Sequence, residues 1–137
     1  MLKVLRFNIG DFFNGYEEVR LQIYKQSAKY EITFMNLSRM EALGRYEKKR
    51  FLVKDMGRLS EWDSLNVNIW RDKYVDPICD GIEWELTYRE DGKKKRFIHG
   101  SNSYPPQWNQ FIMWLDALMP EMQFANYIDN AIKCRSR

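Results

Sequence analysis

The fold is decided by residues 80–119, which read DGIEWELTYREDGKKKRFIHGSNSYPPQWNQFIMWLDALM. In the first part of this stretch, apolar residues alternate with polar ones, and this period of two is typical of a strand with one buried face. The apolar positions are Ile82, Trp84, Leu86 and Tyr88. The pair Asp91-Gly92 follows and is a strong hairpin signal, because a type I′ turn needs positive φ at both central residues. We therefore predict a β-hairpin that closes at Asp91-Gly92.

A two-residue turn at this point also predicts the register of the hairpin. Phe97 then faces Leu86 and His99 faces Trp84, so that both lie on the apolar face of the ribbon. Arg96 is expected on the opposite, polar face. This register places the only histidine of the chain on the side that a helix should cover.

The segment after the hairpin predicts a helix. Residues 100–106 are small and polar and end in two prolines, which stop a sheet and suit the first turn of a helix. Apolar residues then recur at helical spacing, at Trp108, Phe111, Ile112, Leu115, Leu118 and Met119. Each large side chain that this helix buries stabilises the fold by roughly 1.5–3 kcal/mol. We expect the helix to pack on the Trp84 face, and a second helix to follow Pro120.

Residues 1–74 predict further strands and a helix. Apolar and polar residues alternate in segments 2–9, 16–26 and 29–35, whose short connections favour an antiparallel meander. Residues 50–53 form a possible fourth strand, and Asp55 is a suitable N-cap for a helix whose apolar residues are Met56, Leu59, Trp62 and Leu65. Residues 37–48 fit a short helix that Gly44 weakens.

These patterns together predict one α+β domain over residues 1–137. It has an antiparallel sheet of about five or six strands, with the C-terminal helices packed on one face.

The C-terminal half also resembles a known group of domains. The matching residues are Asp80-Gly81 with Trp84, then Asp91-Gly92-Lys93, then Gly100-Ser101-Asn102 with Tyr104-Pro105, and finally Trp108. This pattern is similar to small bacterial α+β domains of uncharacterised function, over roughly the last 65 residues. The resemblance implies the α+β fold and a bacterial origin, and it implies no activity and no functional residue.

Composition bounds the class of protein. With 45% apolar and 15% aromatic residues, the chain is typical of a globular protein. No apolar run approaches the roughly 18 residues that a membrane span needs, and the first five residues are too short for a signal-peptide core. Cys79 and Cys134 lack the spacing of a disulfide framework. We therefore expect a cytoplasmic protein with no membrane partner.

The sequence contains few residues of the types that usually carry catalysis or bind metals. His99 is the only histidine and the two cysteines lie far apart, so zinc is disfavoured, and the acidic residues do not have calcium-loop spacing. A Cys79–His99 pair is the sharpest enzymatic hypothesis, since imidazole activates a thiolate. The predicted register argues against it, because His99 is expected beneath the helix. We therefore expect no enzymatic activity, no cofactor and no metal.

Two basic segments, residues 45–58 and 89–96, suggest contact with a nucleic-acid backbone. Lys93, Lys94 and Arg96 are the candidate binding residues in the second segment. The opposing interpretation is that lysines at a hairpin tip only keep the protein soluble. A net charge of +3 is also low for a dedicated nucleic-acid binder.

Aromatic residues favour a protein partner instead. The chain has five tryptophans, eight tyrosines and eight phenylalanines, and aromatic residues dominate the energetics of protein interfaces. Phe12 and Phe13 in a predicted turn, and Tyr104 in the loop before the helix, are the candidate contact residues. Each of them has a packing explanation as well. We predict a non-enzymatic protein-binding domain, by analogy of the inhibitor or immunity type, with nucleic-acid backbone binding as the alternative.

Overall fold

The computed structural model describes residues 1–11, 15–34, 48–77, 81–122, 124 and 127–128. Its strands are β1 (Leu2–Asp11), β2 (Gly15–Ile23), β3 (Ala28–Phe34), β4 (Lys49–Leu52), β5 (Lys73–Val75), β6 (Glu83–Glu90) and β7 (Arg96–Ser101). Two 3₁₀ helices, Met56–Leu65 and Val67–Ile69, lie between β4 and β5, and the α-helix α1 (Trp108–Leu118) follows β7. The predicted α+β class is confirmed.

The seven strands of the described residues form one mixed sheet in the order β4-β3-β2-β1-β6-β7-β5. All neighbours pair antiparallel except β5, which runs parallel to β7 with Tyr74 opposite Gly100. The prediction of a purely antiparallel sheet of five or six strands is therefore wrong. The strand that it missed has only three residues, too few to show an alternating pattern.

The β6–β7 hairpin exists, but its predicted register is wrong by one residue. Leu86 faces Ile98 and Thr87 faces Phe97, so that Phe97 lies on the face opposite to Leu86. The reason is the turn. Only Gly92 has positive φ, at 73°, and residues 91–95 all lie outside the strands, whereas a type I′ turn needs two positive φ values and closes with two residues. β7 is thereby shifted by one residue relative to β6, and every side chain of β7 lies on the opposite face from the predicted one.

One face of the sheet is buried. Its largest fully buried side chains in β1, β2, β6 and β7 are Phe7, Leu5, Ile9, Leu21, Trp84, Leu86 and Ile98. Rings of α1 contact this face: Trp108 lies 4.9 Å from Trp84, and Phe111 lies 5.3 Å from Phe7, both measured between ring centroids. Gly100 leaves room for the Trp84 indole, since a Cβ atom at this position would lie 2.3 Å from Trp84 Nε1. We call this side of the sheet the buried face.

The segment after β4 is helical, with 3₁₀ geometry, and Asp55 occupies the predicted N-cap position. The Asp55 side chain makes no capping hydrogen bond, and its carboxylate instead lies 3.2 Å from Arg58 Nε, while Arg58 N donates to Asp55 O at 3.2 Å. Trp62 and Leu65 are buried as expected, and the Trp62 ring lies 5.5 Å from the Trp114 ring of α1. Residues 37–47 of the helix predicted over 37–48, and most of the predicted second C-terminal helix, fall outside the described residues.

Candidate functional site

The other side of the sheet, the open face, carries polar and exposed side chains at the alternate positions of every strand. Successive side chains of a strand point to opposite faces of the sheet, so the alternation that places apolar residues on the buried face places polar ones here. The strand pairing places one row of its residues across six strands, namely Arg50, Glu31, Arg20, Arg6, Thr87 and Phe97. This surface brings polar and charged side chains of distant segments together, and we take it as the candidate site.

Positive charge recurs on this face from strand to strand. Five consecutive strands each contribute one cation, and a sixth cation precedes β7; these residues are Arg50, Lys29, Arg20, Arg6, Arg89 and Lys95. Of the two basic segments predicted from the sequence, the described part of the first, residues 48–58, includes the edge strand β4, and the second belongs to the β6–β7 hairpin. Cations of β1, β2 and β3, which the sequence patterns did not single out, lie between them.

Four of these cations surround a shallow depression of about 330 Å³, which we call the basic depression. Its cations are Arg6, Arg20, Arg89 and Lys95, and no carboxylate is among its lining residues. Glu18 lies beside it, with its oxygens 3.8 Å from Arg6 Nε and 3.3 Å from Arg20 Nε. Arg6 and Arg20 still expose 43% and 51% of their side chains, so both remain available to a ligand.

The opposite end of the open face is acidic. Glu83 and Glu85 of β6 are exposed there, and the Tyr16 hydroxyl donates to Glu83 Oε2 at 3.3 Å. Burial raises the pKa of Tyr16, and the negative charge of Glu83 raises it further. The face therefore carries both signs of charge, and along β6 it changes from Arg89 to Glu85 and Glu83.

Phe97 lies on the open face in the row of Thr87 and Arg6, and His99 lies on it next to the acidic end. Phe97 is 47% exposed, and its ring stacks on His99 with the centroids 5.5 Å apart. His99 faces Glu85 on β6 and Lys73 on β5. The prediction that His99 lies beneath the helix is wrong, because the register is shifted. Cys79 falls outside the described residues, and the Cys79–His99 pairing is not tested by the structure.

Arg96 lies at the rim of the buried face rather than on the polar face predicted for it. Its guanidinium donates to the backbone oxygens of Val67 at 3.0 Å and Asn68 at 3.2 Å, and also to that of Trp70. It also pairs with Asp72 at 3.2 Å. Burial lowers the pKa of Arg96, but bonding to Tyr88 and Asp72 outweighs it and raises the pKa overall. The Arg96 side chain therefore holds the second 3₁₀ helix, Val67–Ile69, and the residue after it against the sheet.

The remaining candidate residues lie in different places. Lys93 and Lys94 are exposed at the hairpin turn, and Lys93 Nζ lies 3.9 Å from Glu90 Oε1. Tyr104 is buried, with its ring 4.9 Å from that of Trp108. Phe12 and Phe13 fall outside the described residues. Of the described candidates, Lys93 and Lys94 lie at the turn while Tyr104 is buried beside Trp108, and the open-face cluster that the structure does assemble was missed.

The missed residues left a signal in the sequence. Arg6, Arg20 and Arg89 each occupy a polar position of an alternating strand. Their proximity depends on β1 pairing with both β2 and β6, and the second pairing joins segments that are far apart in the sequence. Alternation identifies the faces of a strand, but it does not identify the strand's neighbours.

No helix in the described part of the chain is long and apolar enough to cross a lipid bilayer. Comparison with protein-family models, with curated proteins and with solved structures finds no match to this chain.

Proposed function

We propose that this chain is a non-enzymatic domain that binds another protein through the open face of its sheet, as a small inhibitor or immunity protein does, in the bacterial cytoplasm. The observation that carries the proposal is the surroundings of Phe97. A half-exposed aromatic ring lies among charged side chains of both signs on an extended sheet surface. Interfaces typically combine an aromatic anchor with a polar, charged rim.

The fold supports this proposal by keeping the two faces distinct. We propose that both predicted C-terminal helices lie on the buried face and leave the open face to a partner. The ring contacts of Trp108 and Phe111 with that face support the placement of the first helix. Phe97, Leu52 and Val75 are all at least 47% exposed on the open face, and this exposed apolar area is what a partner would remove from water.

A second candidate function is the binding of a nucleic-acid backbone. The observation that favours it is the recurrence of one cation per strand across β4, β3, β2, β1 and β6. Such a stripe suits a chain of phosphates that crosses the strands, with lysines and arginines as its contacts. The acidic residues Glu18 and Glu31 interrupt the stripe and lower its net charge.

The proposal is tested with a photo-reactive phenylalanine derivative at position 97, in cells of the native host. Met113 is the matched control, because it is an apolar side chain 61% exposed on α1. The protein that cross-links is then purified, and its affinity for the Phe97→Ser and Met113→Ser variants is compared with its affinity for the unmodified chain. We expect Phe97→Ser to weaken binding at least about tenfold, as the loss of an interface anchor does, and Met113→Ser to leave it unchanged.

The outcomes separate the two candidates. A partner that binds both variants equally would contradict binding through the open face. Cross-linking to nucleic acid in place of protein, with an affinity that falls steeply as salt increases, would support the second candidate.

A further inference from the structure

The basic depression has a surplus of positive charge that the protein itself does not neutralise. Arg6 and Arg20 are directly opposite each other on β1 and β2, and like charges in this position repel. One carboxylate, that of Glu18, contacts both arginines. In the part of the chain that the structure describes, no carboxylate lies within ion-pair distance of Arg89 or Lys95.

We propose that the basic depression binds an acidic segment of the partner protein, with carboxylate side chains placed between Arg6, Arg20, Arg89 and Lys95. This inference rests on the proposed protein-binding function and names the chemistry of the partner.

The chemistry of the depression suits carboxylates. An arginine guanidinium presents parallel N–H donors that match both oxygens of a carboxylate. Gln22 and Thr87 lie in the same lining and offer further polar groups, while Val4 contributes apolar surface. With a volume of about 330 Å³, the depression has room for more than one acidic side chain.

The charge pattern of the whole face favours a protein over a nucleic acid. Along β6 the open face changes from Arg89 to Glu85 and Glu83, and along β2 it changes from Arg20 to Glu18 and Tyr16. A phosphate backbone carries only negative charge, so the acidic end would repel it. A protein surface can present acidic side chains to the depression and basic ones to Glu83 and Glu85, which is the complementarity that specific interfaces show.

The test uses two double charge reversals with the same change in net charge. Arg89→Glu with Lys95→Glu alters the depression, and Lys93→Glu with Lys94→Glu alters the exposed turn nearby. The probes are a glutamate-rich peptide of about eight residues, which extends far enough to cross the depression, and an oligothymidylate of equal charge. Binding is followed through the amide resonances of Arg6, Arg20 and Thr87 by NMR.

We expect the peptide to shift these three resonances and to bind the Arg89/Lys95 variant about tenfold or more weakly, because two charge-assisted contacts are lost. The turn variant should lose less than about twofold, since its charges lie at the periphery. Equal losses in the two variants, or resonance shifts confined to other residues, would overturn the inference. Tighter binding of oligothymidylate than of peptide would overturn it in favour of a nucleic-acid ligand.

Failure of this inference is distinguishable from failure of the proposed function. The partner captured through position 97 is measured against the Arg89/Lys95 variant as well. Loss of binding with Phe97→Ser but not with the charge reversal would retain the protein-binding function and reject the acidic segment. Loss with both variants is the result that we expect.

Discussion

Arg89 and Arg96 belong to the same hairpin but serve opposite faces of the sheet. Arg96 is bonded to three backbone oxygens and to Asp72, so its charge is used to hold the 3₁₀ segment. Arg89 lines the basic depression without an ion pair to any described residue. A basic run in a sequence can therefore contain both cations that stabilise the fold and cations that are free to contact a ligand. The face of the sheet on which each side chain lies distinguishes the two kinds.

The largest expected effect compares two neighbours on β7. Ile98 is fully buried and Phe97 is 47% exposed, so Ile98→Ala should lower the free energy of unfolding by about 2–5 kcal/mol. Phe97→Ala should lower it by about 1 kcal/mol or less, because the ring loses mainly its stacking on His99. Urea denaturation measures both values.

This pair of variants also tests the register. In the register predicted from an Asp91-Gly92 type I′ turn, Phe97 is the buried residue and Ile98 the exposed one. A larger loss of stability for Phe97→Ala than for Ile98→Ala would therefore show that the observed pairing of Leu86 with Ile98 is wrong.

The second effect compares Arg96 with Arg89. Arg96→Lys keeps the charge but loses the fork that reaches several carbonyl oxygens at once, and we expect a loss of about 1.5–3 kcal/mol in the free energy of unfolding. Arg89→Lys should change it by no more than about 0.5 kcal/mol, as for other exposed positions. Equal losses from urea denaturation would mean that Arg96 does not fix the 3₁₀ segment.

The sequence predicted local structure well and long-range arrangement poorly, for a physical reason. Strands β1, β2, β3, β4, β6 and β7 were all expected, because alternation is a property of neighbouring residues. β5 was missed because its three residues pair with β7 and have no pattern of their own.

The hairpin register and the candidate site depend on contacts that local patterns do not contain. Arg96 is held by the carbonyl oxygens of Val67, Asn68 and Trp70, and its position on the buried face agrees with the observed register rather than the predicted one. The basic depression depends on Arg6 of β1 lying between β2 and β6. Predicting the depression requires the order of the strands, and predicting the register requires the conformation of the turn at residues 91–95; the sequence alone supplied neither.

The smallest effect concerns the charge balance of the open face at Glu31. Burial raises the pKa of Glu31, but the hydrogen bond from Arg50 and the charge of Lys48 outweigh it and lower the pKa overall. A carboxyl group with a lowered pKa in the folded state stabilises the protein above its unfolded pKa. That contribution is lost as the pH falls through the folded pKa. Arg50→Gln should therefore raise the pKa of Glu31 towards its ordinary value, as measured by NMR titration of its side-chain carboxyl carbon.

The matched control is Lys29→Gln, which removes the same charge from a neighbouring position that faces Gln22 and Leu52 rather than Glu31. It should leave the Glu31 titration nearly unchanged. The change in stability for Arg50→Gln should stay below about 1 kcal/mol, because Arg50 is 78% exposed and exposed ion pairs contribute little. If the two variants shift the pKa of Glu31 equally, the pKa is lowered by the summed charge of the cations on the open face rather than by the direct contact with Arg50. A shift with Arg50→Gln alone would show that Arg50 acts on Glu31 through their direct contact.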